Sequence, residues 1–243
     1  MDRTPLEVFV ATRITRKELK ADKFAVEVEH TVDYVAHHRA QVVRYGVIGV
    51  VVAALAIGIY FYRQHEHGIR QDLLAEAIQL QEAPVGPPPP GAPVSFPTED
   101  AKTAAVTKAF SDLATKYSGS NEGIIAEYYL GAAAADHNKL ADAEKYFKNV
   151  VNNGDKQYSS LAQLSLAQLY VVTGRAPEAE KLLRSLMEHP TIFVSKEEAT
   201  IALARVIGKT RPDEARKMLE PLRTTRSTVS QMAVQALGDL SQK

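Results

Sequence analysis

"QLSLAQLYVVTGRAPEAEKLLRSLM", residues 163–187, lies 36 residues after "EYYLGAAAADHNKLADAEKYFKNVV", residues 127–151, and the two align without a gap. Leu130 falls over Leu166, Gly131 over Ala167, Asn138 over Gly174, Ala143 over Ala179, Glu144 over Glu180 and Phe147 over Leu183. A weaker third copy, "TIALARVIGKTRPDEARKMLEPL" (200–222), keeps the same offset, with Ala215 over Ala179 and Leu219 over Leu183. Each copy reads as two helices around a turn. Small residues let the first helix of a pair approach the second, and Asn138 or Gly174 permits a positive φ in the turn. Phe147 or Leu183 fills the gap to the next pair, so the copies stack into one core.

These residues resemble the tetratricopeptide repeat pattern: Leu130-Gly131, Ala143 and Phe147 in one copy, and Leu166, Tyr170, Gly174, Ala179 and Leu183 in the next. The pattern's tryptophan position is Glu127, the chain has no Trp, and the nearest repeat-end proline is Pro190, so the repeat is a divergent one. Upstream, "AVTKAFSDLATKYSGSNEG" (105–123) reads as a preceding second helix with Phe110 in the large-residue slot, its partner either absent or replaced by Glu99–Lys102. Downstream, "STVSQMAVQALGDL" (227–240) reads as a capping helix with Met232, Ala236 and Leu240 on one face.

Further upstream "RYGVIGVVVAALAIGIYFYRQ" (44–64) carries no charge from Tyr45 to Tyr62. Eighteen residues of helix reach roughly 27 Å, close to the hydrocarbon thickness of a bilayer. Tyr45 marks one end, Tyr60 and Tyr62 the other, where aromatic rings favour the headgroup level; Val50 and Leu55 lie between. A soluble helix would show a polar stripe, and a cleaved signal peptide would end its run on small residues. Here Ala54-Leu55-Ala56 sits mid-run and the run ends in aromatic and basic residues. The run therefore predicts an uncleaved transmembrane helix over 42–62. Eight Lys/Arg precede it and two follow within twenty residues, which predicts a cytoplasmic N-terminus.

The flanks divide the rest. Residues 1–41 predict a cytosolic amphipathic helical segment, with a capping box at Thr15–Glu18 and Phe24, Val28, Val32 and Val35 at helical spacing. Residues 63–83 predict a helical stalk with Ile69, Leu73, Ala77 and Leu80 in one stripe. In "PVGPPPPGAPVSFP" (84–97), seven of fourteen residues are proline, so 84–98 predicts an extended, semi-rigid linker. Residues 99–243 form the repeat domain. The expected fold class is all-α: an N-terminal transmembrane helix followed by a tetratricopeptide-type α-solenoid. That order of parts is similar to the YfgM-like family. The resemblance implies a bacterial inner-membrane protein with periplasmic repeats, associated with the Sec translocon and with periplasmic chaperones.

Composition narrows the chemistry. With 29 basic and 29 acidic residues the chain offers no general footprint for nucleic acid. Without cysteine there is no disulfide, thiolate metal site or thiol nucleophile. His65 and His67 point about 200° apart on a helix and His37-His38 are adjacent, so neither pair has metal-ligand spacing. No nucleotide-binding or hydrolase motif appears, and Glu178, Glu180, Glu197 and Glu198 read as charges on helix faces. No catalytic, cofactor or metal site is expected. Stacked repeats of this type present their first helices in a concave groove, which by register offers Ile125, Tyr128, Leu161, Leu164, Gln168 and Thr200; each could equally be core between helices. The groove lacks the Lys and Asn residues with which a cytosolic subset of the family clamps a carboxylate. The expectation is a membrane-anchored protein-interaction module, an accessory or chaperone-like factor for translocon subunits, chaperones or exported clients, able to form homo- or hetero-oligomers. The alternative is a structural scaffold subunit without a client groove.

Overall fold

The computed structural model describes residues 39–88, 91, 94–224 and 228–241. Of these, 82% are helical and none belongs to a strand. The chain divides into two units, 1–65 and 66–243. The capping box at Thr15–Glu18 and the stripe from Phe24 to Val35 lie outside the described residues.

In the first unit the described residues belong to helix α1, Arg39–Glu82, whose remainder lies in the second unit. Its apolar run is long enough to cross a membrane, and none of it is buried by other parts of the structure. Tyr45, Val50, Leu55, Tyr60 and Tyr62 are all at least 62% exposed.

The second unit is a stack of helical pairs. After the end of α1 come α2 (Glu99–Lys116), α3 (Asn121–Asp136), α4 (Leu140–Asn153), α5 (Lys156–Val172), α6 (Ala176–Glu188), α7 (Lys196–Ile207) and α8 (Pro212–Leu219). A 3₁₀ turn, Glu220–Thr224, leads to α9 (Thr228–Ser241). The repeats are the pairs α3–α4, α5–α6 and α7–α8. Ala143, Ala179 and Ala215, one per repeat, are fully buried, and Phe147, Leu183 and Leu219 beside them are at most 2% exposed. Gly131 is where α3 meets α4: a Cβ there would lie 2.8 Å from the Phe147 ring.

Sequence chemistry separates the two helices of a pair. The first helices α3, α5 and α7 start on Ser120, Asp155 and Ser195, whose side chains accept from Gly123, Tyr158 and Glu198 N–H at 2.8–3.1 Å. The second helices start after a base, Lys139, Arg175 or Arg211, which makes no side-chain cap. Two of these bases reach back to the previous repeat instead. Arg175 Nη2 lies 2.6 Å from Glu144 Oε2, and Arg211 pairs with Glu180. The Arg175 guanidinium also sits 4.0 Å over the Tyr170 ring. Hydrogen bonds from Arg175, then Lys148, hold the Glu144 carboxyl down at about 2. Glu180, expected as a solvated charge, is thus part of an inter-repeat ion-pair network with Arg184, Arg211 and Glu214.

Four expectations change. First, the partner of α2 is neither absent nor Glu99–Lys102, which form the first turn of α2 itself. The partner is the end of α1: Leu74, Ala77 and Ile78 pack with Phe110, Leu113, Ala126 and Leu130. Second, the proline-rich segment does not extend as a spacer. Val85 bridges Phe96, Gly86 N–H donates to Phe96 O at 2.8 Å, and Phe96 N–H donates to Pro84 O at 3.0 Å. The ends of the segment meet, so it works as the loop of a helical hairpin. Third, the 36-residue offset holds for the second helices but not for the first helix of the third copy. There Ala199, Ile201, Leu203, Ala204 and Ile207 repeat the burial of Ala162, Leu164, Leu166, Ala167 and Tyr170 at an offset of 37. The turn explains the slip. Lys139 N–H donates to Ala134 O and Arg175 N–H to Tyr170 O, five residues back, with Asn138 and Gly174 at φ 57° and 76°. Arg211 N–H donates to Ile207 O, four residues back, and needs no positive φ. Fourth, the cap α9 buries Ala233 and Ala236, with Leu240 packed alongside, and leaves Met232 38% exposed. Ala233 lets α9 come closer than methionine would.

Candidate protein-binding groove

Along α5, Tyr158, Leu161, Ser165, Gln168 and Val172 follow at steps of three and four residues, so they share one face. At the start of that face the structure assembles aromatic rings from three elements. The Tyr128 ring of α3 lies 5.9 Å from the Tyr158 ring, and Tyr158 lies 5.4 Å from Phe193 at 90°. Tyr128 Oη is 3.5 Å from Ser165 Oγ, and its ring contacts Phe147 at 5.8 Å. Tyr129 stacks on Phe110 at 4.7 Å, which extends the series to α2. Burial pushes the Tyr158 hydroxyl up to about 12 and raises that of Tyr129. Both phenols are therefore neutral hydrogen-bonding groups at physiological pH.

Phe193 comes from the loop between α6 and α7. Thr191 fixes this loop: its Oγ1 accepts from Val194 N–H at 3.0 Å and lies 2.7 Å from Ser160 Oγ. Toward the other end of α5 lies a cavity of about 310 Å³, lined by Gln168, Val171, Val172, Ala202, Arg205 and Val206 among others. Val172, the last residue of α5, is 72% exposed. Arg205 forms no ion pair among the described residues.

The expected groove residues fall into two groups. Ile125, Leu164 and Thr200 are buried; Thr200 stands one residue off the groove register and its hydroxyl donates to Lys196 O at 2.7 Å. Tyr128 and Leu161 are half-buried and Gln168 is exposed. The structure joins Tyr128 to Tyr158 at one end of the face and Gln168 to Val172 and Arg205 at the other. Tyr158 and Val172 were within reach of sequence reasoning, three residues before Leu161 and four after Gln168. Phe193 was not, because a loop carries no period. Among the described residues no group of three His, Cys, Asp or Glu side chains comes together. The chemistry on offer is apolar contact, ring stacking and a few hydrogen bonds, which suits another polypeptide.

A face of this kind on stacked helical pairs defines an α-solenoid of the protein-interaction class. The sequence of residues 40–198 matches the Tetratricopeptide repeat-like domain, and the chain belongs to that family. The match takes in all of α1 but its first residue. Nearly identical TPR-like repeats of a Podospora anserina protein described as a kinesin light chain share the fold. The TM-score is 0.51 at 16% identity, over 71% of this chain and 84% of that one. No curated protein matches the chain.

Proposed function

We propose that the protein is a membrane-anchored interaction module whose first-helix face holds a partner polypeptide beside the bilayer. The observation that supports the binding role is the open apolar face from Tyr158 to Val172, flanked by Tyr128, Phe193 and Arg205. Repeat domains of this family are interaction scaffolds, and the face offers no group placed for acid–base or nucleophilic work.

The anchor rests on energetics. Thirteen large apolar side chains between Val43 and Tyr62 stand exposed. Moving each from water to lipid is worth about 1.5–3 kcal/mol, tens of kcal/mol in all. The excess of basic residues before the run favours a cytoplasmic N-terminus and repeats on the far side, a periplasm if the membrane is a bacterial inner one. By resemblance to the YfgM-like family, the partners are translocon subunits, periplasmic chaperones or exported clients. Tethering raises the local concentration of such partners at the groove.

A photocrosslinking residue at Gln168 or Tyr128, in native membranes, tests the binding role. Adducts to envelope or translocon proteins from both positions, with none from Lys145 on the second-helix side, are expected. Equal yields from all three positions would remove the groove from the proposal.

A further inference from the structure

The bend between α6 and α7 has an apolar tip. Thr191 N–H donates to Val194 O at 2.9 Å, and Thr191 Oγ1 accepts from the N–H groups of Phe193 and Val194 at 3.3 and 3.0 Å. Thr191 is tied to Ser160 and Val194 is fully buried, so the backbone holds the two residues between them outward. Those residues are Ile192, 83% exposed, and Phe193, 43% exposed. Tyr45 and Val50 in the apolar run reach only 70%. Turns and tight loops ordinarily carry Gly, Pro, Asn, Asp or Ser. Here an exposed proline, Pro190, is followed closely by two large apolar side chains held in water.

The place of the bend in the stack says what it meets. Successive helices alternate in direction, so the bend shares one end of the stack with the starts of α3 and α5. Printed contacts run along that end. Arg70 Nε bonds Glu122 in the first turn of α3, and its guanidinium lies 5.8 Å from the Tyr117 ring. A Cβ on Gly154, just before α5, would lie 3.4 Å from Ile124 Cγ2. Tyr158, in the first turn of α5, meets Phe193. Arg70 is eight residues beyond Tyr62 on the same helix, about 12 Å. The end of the stack that carries Ile192 is therefore the end at which the chain arrives from its apolar run. Glu188 and His189 precede the tip, and Lys196, Glu197 and Glu198 follow it. That mixture is no basic patch for anionic headgroups, so apolar transfer is the force on offer.

We propose that Ile192 and Phe193 make a second membrane contact, entering the interfacial layer of the bilayer that the apolar run crosses. The contact rests on the reading of that run as an anchor. The anchor supplies the local concentration, so the tip needs only the transfer of two side chains to stay docked. Tyr158, whose ring touches Phe193, then stands beside the headgroups, where a partner segment leaving the bilayer meets the α5 face.

The chain has no tryptophan, so a single introduced one reports alone. Full-length chains are reconstituted in phosphatidylcholine vesicles with or without bromine, a quencher of indole, on the acyl chains. Leu55→Trp reports the anchor. Glu178→Trp, ten residues before Glu188 on α6 and about 15 Å along it, measures the attraction of tryptophan itself to headgroups. Ile192→Trp should be quenched severalfold more than Glu178→Trp. In Phe193→Trp chains, adding Ile192→Asp should lower the ratio of docked to undocked loop about tenfold or more, read as lost quenching. Ile192 is exposed, so unchanged helical circular dichroism is the check on folding. Quenching at 192 no greater than at 178, with Leu55→Trp quenched, would overturn the contact and leave the anchor. An unquenched Leu55→Trp would overturn both. Quenching of Phe193→Trp indifferent to Ile192→Asp would also overturn the contact, as would a photocrosslinker at 192 that joins only a protein in native membranes.

Discussion

Gly131 and Gly68 show how differently the same residue type can act. A methyl group on Gly131 would press into the Phe147 ring, itself 2% exposed and wedged between repeats, whereas one on Gly68 would meet nothing within 4 Å. Gly131→Ala should cost about 1–3 kcal/mol through overpacking, while Gly68→Ala should be neutral or add about 0.5–1 kcal/mol through helix propensity. Urea titrations of the two variants check the contrast; equal effects would mean that α3 and α4 do not meet at Gly131. Glu144 makes a prediction of a different kind. Its folded carboxyl is held at about 2 by Arg175 and Lys148, against an ordinary 4.5. A lowered carboxylate contributes stability that is complete above its unfolded value and disappears as pH falls through the folded one. The stability advantage of the natural chain over Glu144→Gln should therefore be full at pH 6, shrink between pH 4.5 and 2, and be gone below that. Arg175→Ala should remove the larger part of the same acid-sensitive contribution, leaving the part from Lys148, together with the ring contact to Tyr170.

The end of α1 is the element whose role changes most between sequence and structure, and it carries its own prediction. Ala77 is fully buried against Phe110 and Leu113. Two to three turns earlier on α1, His67 Nδ1 and Arg70 Nε lie 2.9 and 3.1 Å from the two oxygens of Glu122, whose side chain is 5% exposed. This cluster takes the place of the Glu144–Arg175 type of clamp. At the equivalent positions one repeat earlier stand two bases, Lys108 and Lys139, which cannot pair. Ala77→Asp puts a charge into that core, and Glu122→Gln weakens the pairing. Both should raise hydrogen exchange in the end of α1 and in α2 while leaving α5 to α8 protected, because stacked repeats depend mainly on their neighbours. If α1 exchanged alone while α2 kept its protection, the two would not form a cooperative pair. The sequence hid this pairing for a physical reason. Ile69, Leu73, Ala77 and Leu80 make a readable stripe, but the core uses Leu74, Ala77 and Ile78, a face turned part of the way round, and the proline-rich loop between the helices disguises them as separate segments. The repeats themselves were legible because Ala143, Ala179 and Ala215 answer a steric demand that recurs every 36 residues. The slip at Thr200 was not, because it depends on one residue fewer in a turn. At the groove the periodic members Tyr128, Leu161 and Gln168 could be read from register, whereas Phe193 depends on a loop that Thr191 folds.

For the molecule as a whole, the compartment of the repeats decides which partners the groove can meet. The basic residues that favour a cytoplasmic N-terminus are spread over residues 3–44, while Arg39 and Arg44 on one side of the run face Arg63 and Arg70 on the other. The bias therefore comes mainly from residues distant from the bilayer. Arg70 is moreover engaged with Glu122 in the first pair, which lessens its weight as a free juxtamembrane charge. Single cysteines at Gln235 on α9 and at Thr4 test the topology directly, since no natural thiol competes. With a membrane-impermeant maleimide on intact spheroplasts, Gln235→Cys should label at once and Thr4→Cys only after permeabilisation. The opposite pattern would put the repeats in the cytoplasm. Exported clients and periplasmic chaperones would then leave the list of partners. The open face on α5 would stand, because it is a property of the folded stack and does not depend on which side of the bilayer it lies.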